Sequence, residues 1–383
     1  MTERPLSHIR VLDFTRVLAG PYCTALMADL GADVLKIEPP QGDDYRHIGP
    51  FYSDGSSALF EAVNRGKRSL VLDLAVDRDR ALCLSLAREA DVVVENFRPG
   101  VADRLGIGWA ALSAANPRLV YASISGFGQD GPNAARPAYD LIVQALSGIM
   151  AVTGDPAGPP TMIGEAVGDV VAGLFGSWAI MAALVDRERT GQGRHLDIAM
   201  FDSMLAFQPL ILARTLATGI APMRVGNRHA LSAPYGAFAA RDGMFVVAVL
   251  NPKLFAALAG VLGQSGLTAD PRFATDSLRL ENEAALRAII EAWSAHRSAA
   301  EAVAALIAAG VPAAEVQDTV AALAMAAARP VVQQVAHPAL GPINVPEQPV
   351  RFAGVSRGGS ASAPQLGAAG QADATPDTLW RPR

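Results

Sequence analysis

The stretch that most constrains this chain is residues 164–185, Gly-Glu-Ala-Val-Gly-Asp followed by a run from Val170 to Val185 in which only Ser177 carries a polar side chain. A helix apolar on every face belongs inside a large core, and this run is short for a bilayer, which takes about 20 residues. One acid, Asp169, stands at its threshold. A carboxylate there either caps free backbone N–H groups or does chemistry, and the helix dipole would keep it ionised in both roles.

A chain of 383 residues exceeds one ordinary core, so about two domains are expected. The net charge of −5, with no block of Lys or Arg, argues against nucleic acid or an anionic membrane as the main partner. Cys23 and Cys83 sit inside apolar helical patterns and read as buried, reduced thiols, with no disulfide or zinc site. The opening Met1–His8 lacks an apolar export segment, so a cytoplasmic location is expected.

Residues 9–13 alternate as a strand, a helix follows over Tyr22–Leu30 and ends at Gly31, and Asp33–Glu38 forms a second strand closed by Pro39-Pro40. The alternation continues through Ser69–Leu74, a helix near 77–90, Asp91–Glu95, short helices near 101–115 and Leu119–Ser125. This is the α/β pattern of a doubly wound parallel sheet, whose ligands sit at the carboxyl ends of its strands. The loops to watch are therefore 14–21, 96–104 and 126–139. Asn96-Phe97-Arg98-Pro99-Gly100, with Arg104 a turn later, offers two guanidinium groups and a helix N-terminus to phosphates. Gly126-Phe-Gly128-Gln-Asp-Gly131 matches a dinucleotide fingerprint in letters, but Pro132 and Pro137 interrupt the helix that should follow.

Past Val185 the charged run Asp186–His195 reads as a helix end and turn, before a strand at 196–199 and one helix over 201–216. A loop over 224–234 leads to a hairpin turning at Asp242-Gly243, which opens a smaller α+β region. Residues 354–376, rich in Gly, Ser, Ala and Pro, are either mobile or laid along another surface.

The sequence holds no G-x-S-x-G elbow, no H-E-x-x-H, no Walker loop and no ligand-like histidine pair, so metal catalysis has no support. Carboxylates remain: Asp140, Glu165 and Asp169. An ionised carboxylate can attack an activated acyl group and form a mixed anhydride.

Arg10-Val-Leu-Asp-Phe, Ala19-Gly-Pro, Leu30–Glu38, Asn64-Arg-Gly-Lys-Arg-Ser69, Asp91–Gly100 and Gly164–Asp169, in this order, resemble the class III CoA-transferases of the CaiB/BaiF family, the formyl-CoA transferase and L-carnitine CoA-transferase type. The resemblance implies CoA exchange between an acyl-CoA and a small carboxylic acid through an anhydride on Asp169, with coenzyme A as co-substrate and no other cofactor. It implies CoA contacts at Arg16, Leu72, Asn96, Phe97, Arg98 and Arg104, and substrate contacts at Leu18, Tyr139 and Asp140. It further implies a Rossmann-like large domain, a smaller α+β domain and a homodimer of interlocked rings. The expected division is 1–200 as the first part of the large domain, 201–229 as a linker, 230–316 as the small domain, and 317–383 as the return linker, the rest of the large domain and a tail.

Three departures bear on specificity. Leu18 stands where formyl-CoA transferases carry Gln, the small domain has no glycine-rich run, and the tail segment Ala363-Pro-Gln-Leu-Gly367 lacks a following His. Formyl or oxalyl chemistry and the tail's contacts are therefore not expected. Two other readings exist: an α-methylacyl-CoA racemase-type enzyme of the same fold, and a non-catalytic acyl-CoA binding protein. A racemase needs a base before Asp140, where this chain has Tyr139, whose pKa near 10 makes it a poor one at neutral pH.

Overall fold

The computed structural model of the chain describes residues 4–355, 360–370 and 374–382. Two compact units form, one from Met1–Ile149, Met162–Ile220 and Arg329–Arg383, the other from Met150–Thr161 and Ala221–Ala328. The second unit thus takes in a segment near 150–161 that sequence reading leaves in the large domain.

In the first unit, strands β1 (Arg10–Asp13), β2 (Asp33–Glu38), β3 (Arg68–Val71), β4 (Val92–Glu95), β5 (Val120–Ser125) and β6 (Arg194–Ala199) make one sheet in the order β3-β2-β1-β4-β5-β6. All neighbours are parallel. Strands β2, β4 and β5 are buried along their whole length, as strands of a parallel sheet covered on both faces are, and the charged Asp33, Lys36, Glu38 and Glu95 are buried with them. Helices α1 (Ala19–Asp29), α2 (Ala58–Asn64), α3 (Asp77–Glu89), α4 (Val101–Arg104), α5 (Trp109–Ala115), α6 (Asp140–Leu146), α7 (Ile149–Val152) and α8 (Val167–Thr190) connect or follow these strands. This is the doubly wound, Rossmann-like arrangement, and its strand order reverses between β1 and β4.

Helix α8 has 24 residues, more than its apolar run, because the charged segment after Val185 continues the helix to Gly191, whose φ of 71° closes it. That length and composition would suffice to cross a bilayer. One face instead packs on α1, where a Cβ at Gly173 would lie 2.6 Å from the Ala19 carbonyl and one at Gly176 would lie 3.4 Å from the Cys23 sulfur. The opposite face exposes Leu174, Trp178 and Val185, so burial all round holds for one side only. Arg194 and His195, read as part of a turn, belong to β6.

The single helix expected after β6 is two, α9 (Met200–Ala206) and α10 (Pro209–Thr218), broken where Pro209 has no N–H to donate. No residue of α10 is buried. In the second unit, β7 (Tyr235–Ala239), β8 (Met244–Ala248) and β9 (Ala313–Glu315) form an antiparallel sheet. Its hairpin turns where expected, with Ala240 N–H donating to the Gly243 carbonyl. Phe238, Phe245, Phe255, Leu286 and Leu306 pack this sheet against α11 (Pro252–Val261), α13 (Glu283–Ser294) and α14 (Ala299–Ala308), while α12 (Asp276–Glu281) and α15 (Thr319–Met325) complete the unit.

The chain then returns to the first unit with the antiparallel pair β10 (Val332–His337) and β11 (Gly341–Pro346). The described part of the tail lies along this unit. Ala363 N–H donates to Glu61, Gly367 N–H to the Ser69 hydroxyl, and α16 (Pro376–Leu379) buries Leu379 in the sheet core. Tail contacts that the sequence did not lead one to expect are therefore present among the described residues. Residues 356–359 and 371–373 of the tail lie outside the described residues.

Gly173→Ala tests the α1–α8 approach. The new methyl meets a backbone carbonyl that cannot rotate away, so the helices must part at a cost of about 1–3 kcal/mol. A lower melting temperature by calorimetry is the expected result.

Candidate active site

The loops after β1 and β4 meet where the strand order reverses. Arg16 N–H donates to Asn96 Oδ1 at 2.9 Å, and Asn96 Nδ2 returns a hydrogen bond to the Arg16 carbonyl at 2.8 Å. Above this pair opens a cleft of about 150 Å³ lined by Arg16, Leu18, Asn96, Phe97, Arg98, Tyr139 and Asp169. An adjoining slot of about 240 Å³ shares Arg16 and Phe97 and adds Phe14, Ile37, Leu72 and Leu105. Seven of the residues expected from sequence thus line one cleft, and Leu72 lines its neighbour. Arg104, on α4, and Asp140 line neither.

The chemistry of these two spaces differs. The surface of the slot is mostly apolar, from Phe14, Ile37, Leu72, Leu74, Phe97 and Leu105, with Asp44 and Asp73 also lining it, and it suits a flat heterocycle with polar edges. Around the cleft, Arg98 and Arg136 are exposed and make no ion pair among the described residues, so both guanidinium groups are available to anions. Arg136 was missed in the sequence because a lone Arg before Pro137 has no pattern to mark it. Tyr45, on the short 3₁₀ turn Asp44–His47, was missed as well. Burial and then the charge of Asp169 push its phenol up, which places it near that carboxylate.

Gly126, Gly128 and Gly131 do not cradle a dinucleotide. The chain runs on through turns as far as Tyr139, and the next helix, α6, starts only at Asp140.

Asp169 is not the cap of α8. Ala166 holds that position and Asp169 is the third residue of the helix. The capping acid is Asp140, whose Oδ1 accepts from Gly168 N–H at 2.7 Å. Gln144, fully buried on the next turn of α6, donates from Nε2 to Asp140 Oδ2 at 2.8 Å and accepts from Ile163 N–H at 2.9 Å. The spacing of Asp140 and Gln144 by four residues puts both on one face of α6, a signal the sequence did carry.

With Asp140 taking the cap, Asp169 lies largely desolvated beside a second carboxylate. Burial, and then the charge of Asp140, push it up to about 7. The expectation that the helix dipole would hold it low is thereby corrected, since dipole effects of about 0.3–1 kcal/mol are small against loss of water. An acid whose folded-state pKa is raised keeps its proton in the folded chain between about 4 and 7 and has lost it in the unfolded one, so wild type loses stability as pH rises through that window. Asp169→Asn removes this titration. Its melting temperature is expected to exceed that of wild type by a few degrees at pH 8, and the gap should close toward pH 4 in calorimetric scans.

Residues 6–369 match the family described as CoA-transferase family III. The acetyl-CoA:oxalate CoA-transferase of Acetobacter aceti is 46% identical over 354 residues, covering 91% of this chain and 90% of that one. The succinyl-CoA:mesaconate CoA-transferase of Haloarcula hispanica is 43% identical over 322 residues, covering 82% of this chain and 81% of that one. A crystal structure of a CaiB/BaiF family protein from Brucella suis superposes with a TM-score of 0.86 at 39% identity, over 96% of this chain and 98% of that one. With an acid, free guanidinium groups and an apolar slot gathered at the switch point of a Rossmann-like sheet, and with these likenesses spanning nearly its whole length, the chain belongs to CoA-transferase family III.

Proposed function

We propose that the chain moves CoA from an acyl-CoA to a small dicarboxylic acid, with Asp169 as the nucleophile. The observation that carries this reading is the one acid of the cleft with no cation beside it: Asp44 also lines it but is exposed and paired with Arg16 at 3.5 Å, whereas Asp169 has no ion pair among the described residues. Asp169 shares the cleft with Leu18, Arg98 and Tyr139, and no histidine or cysteine lines it.

Atom balance fixes the sequence of steps. Carboxylate oxygen of Asp169 attacks the thioester carbon, the C–S bond breaks, and CoA leaves as a thiolate with a mixed anhydride left behind. The thiolate then attacks the Asp169 carbonyl, which releases the donor acid carrying one Asp169 oxygen and leaves an aspartyl-CoA thioester. The acceptor carboxylate attacks that thioester to form a second anhydride. Attack of the thiolate on the acceptor's carbonyl gives the new acyl-CoA, and the acceptor's oxygen stays on Asp169. No external proton or oxidant enters. A carboxylate with its pKa near 7 is a stronger nucleophile than an ordinary one and is still half ionised at neutral pH.

CoA is assigned to the slot and the cleft rim, its adenine against Leu72 and Phe97 and its phosphates near Arg16, Arg98 and Arg104. Leu18 and Tyr139 would meet the acyl group. Asp140, bonded to Gly168 and Gln144, acts through the position of Asp169 instead of touching substrate. Its engagement, together with Tyr139 in place of a basic residue, weighs against the racemase reading. A dicarboxylate acceptor is favoured by the second free guanidinium, Arg136, and by relatives whose names carry oxalate, mesaconate and succinyl. Oxalate therefore belongs among the candidates despite Leu18.

The chain is further assigned to a homodimer working in the cytoplasm. Trp178 is 69% and Leu216 84% exposed in the single chain, and such apolar faces on α8 and α10 fit a second copy. The two free, buried cysteines fit a reducing compartment. Light scattering should give the mass of two chains, and a monomer at micromolar concentration would contradict the dimer.

Incubation with acyl-CoAs and a panel of acids, followed by mass spectrometry of the CoA esters, tests the transfer. Dicarboxylates are expected to exchange at least tenfold faster than monocarboxylates of equal length. Hydroxylamine should convert Asp169 to its hydroxamate in wild type, and Asp169→Ala should abolish exchange while CoA still binds. Exchange by Asp169→Ala at the wild-type rate would end the nucleophile assignment.

A further inference from the structure

The loop that carries Arg16 and Leu18 into the cleft contains one backbone outlier. Val17 has a φ of 67°, the only positive φ at a non-glycine residue among those described. A β-branched side chain in the left-handed region crowds its own backbone, at a cost that only an over-determined surrounding sustains. Leu18 then serves as the N-cap position of α1, with no side chain capping the helix.

The surrounding is explicit. Asp43, 2% exposed, accepts from Val17 N–H through Oδ1 at 3.1 Å and pairs through Oδ2 with the buried Lys36 ammonium at 2.8 Å. Lys36 Nζ also donates to the Thr15 carbonyl at 2.6 Å. One ion pair therefore holds the two peptide groups on either side of Arg16, the second of which leads into Val17. Asp43 is itself held, since its N–H donates to Glu38 Oε2 at 3.0 Å, and its Oδ1 accepts from Tyr45 N–H at 2.9 Å. From below, Thr15 N–H donates to Asp13 Oδ1 at 2.9 Å, and Lys67 pairs with Asp13 Oδ2 at 2.9 Å. Two buried lysines and three buried carboxylates so support a turn of three residues.

We propose that Asp43 and Lys36 are positioning residues for the transfer reaction: their pair keeps Val17 in the left-handed conformation, which turns Arg16 and Leu18 on either side of it into the cleft that holds Asp169. The inference rests on the assignment of Asp169 as nucleophile. Without the pair, Val17 relaxes to negative φ and the wall opposite Asp169 is displaced. Glycine takes the left-handed region about as readily as any other, so Val17→Gly makes the same turn without the clamp.

The rate of hydroxamate formation at Asp169, measured with saturating acyl-CoA and hydroxylamine, separates these effects. Asp43→Ala is expected to slow it by at least thirtyfold, and adding Val17→Gly to that variant should recover about tenfold, the factor that corresponds to the strain of one left-handed Val. Asp43→Asn, which keeps the shape and the acceptor oxygen but removes the charge facing Lys36, should show a smaller loss with the same rescue, and it serves if the alanine variant does not fold. A purely structural Asp43 would lower the melting temperature and leave the rate unmoved by Val17→Gly, and that result would overturn the proposal. Unchanged hydroxamate formation in Asp43→Ala and Asp43→Asn would overturn it too. Failure of wild type to form any hydroxamate at Asp169 would instead count against the nucleophile.

Discussion

The crossing of α1 and α8 is the contact on which the site depends. Each helix begins at the cleft, α1 directly after Leu18 and α8 two residues before Asp169. Their N-termini converge because Gly173 leaves the Ala19 carbonyl unobstructed, one turn from Asp169. A side chain at 173 would push the start of α1, and with it the loop carrying Leu18, away from Asp169. The sheet contributes the other half of the convergence, since β1 and β4 are neighbours whose following loops must part at the reversal of strand order, and the Arg16–Asn96 pair bridges that gap.

Two acids in this unit show how surroundings set their chemistry. Burial acts to raise Asp13, but Lys67 and Lys36, with help from Thr15, outweigh it and hold the carboxyl at about 2. It is a permanently ionised structural anchor, and Lys67 opposite it is brought down by burial to about 8. Asp169 is half-buried and largely desolvated, yet its charged neighbour is Asp140 and no cation compensates, so it rises to about 7. Anchoring calls for a charge that never leaves, whereas nucleophilic attack on a thioester calls for an electron pair that binds a carbon readily. Burial supplies the second when no lysine is near. Asp140 completes the arrangement by doing the capping that would otherwise have fallen to Asp169.

Much of this was legible in the sequence because the signals were periodic or local. The βα alternation gave the sheet, Asp242-Gly243 the hairpin, and the stretch around Asp169 the position of the acid. What stayed hidden depended on distant partners. Nothing near Asp43 announces that its carboxylate reaches Val17, 26 residues earlier, and nothing near Asp140 that it caps a helix 28 residues later. The reading of Asp169 as a cap kept ionised by the helix failed for that reason: cap occupancy and desolvation are properties of the folded neighbourhood. The charged helix end after Val185 was legible, whereas the start of β6 at Arg194 reads as part of the turn because strand pairing with β5 is not visible locally. Arg187, in that helix end, is buried against Asp91 at 3.1 Å, tying the end of α8 to the start of β4.

The two faces of α8 add a last consequence. Its apolar run has no wet side in the sequence, while the single chain covers only the side that meets α1, α9 and the sheet. The uncovered side, with Leu174 and Trp178, begins five residues after Asp169 on the same rigid helix. In the proposed dimer, any shift of the second copy across that face would be transmitted along the helix to Asp169. Association and site geometry would then share one element, which supplies a reason for so long a run without polar residues. A helix serving a monomer alone would be expected to carry charges at 174, 178 and 185, as amphipathic helices do on their solvent face.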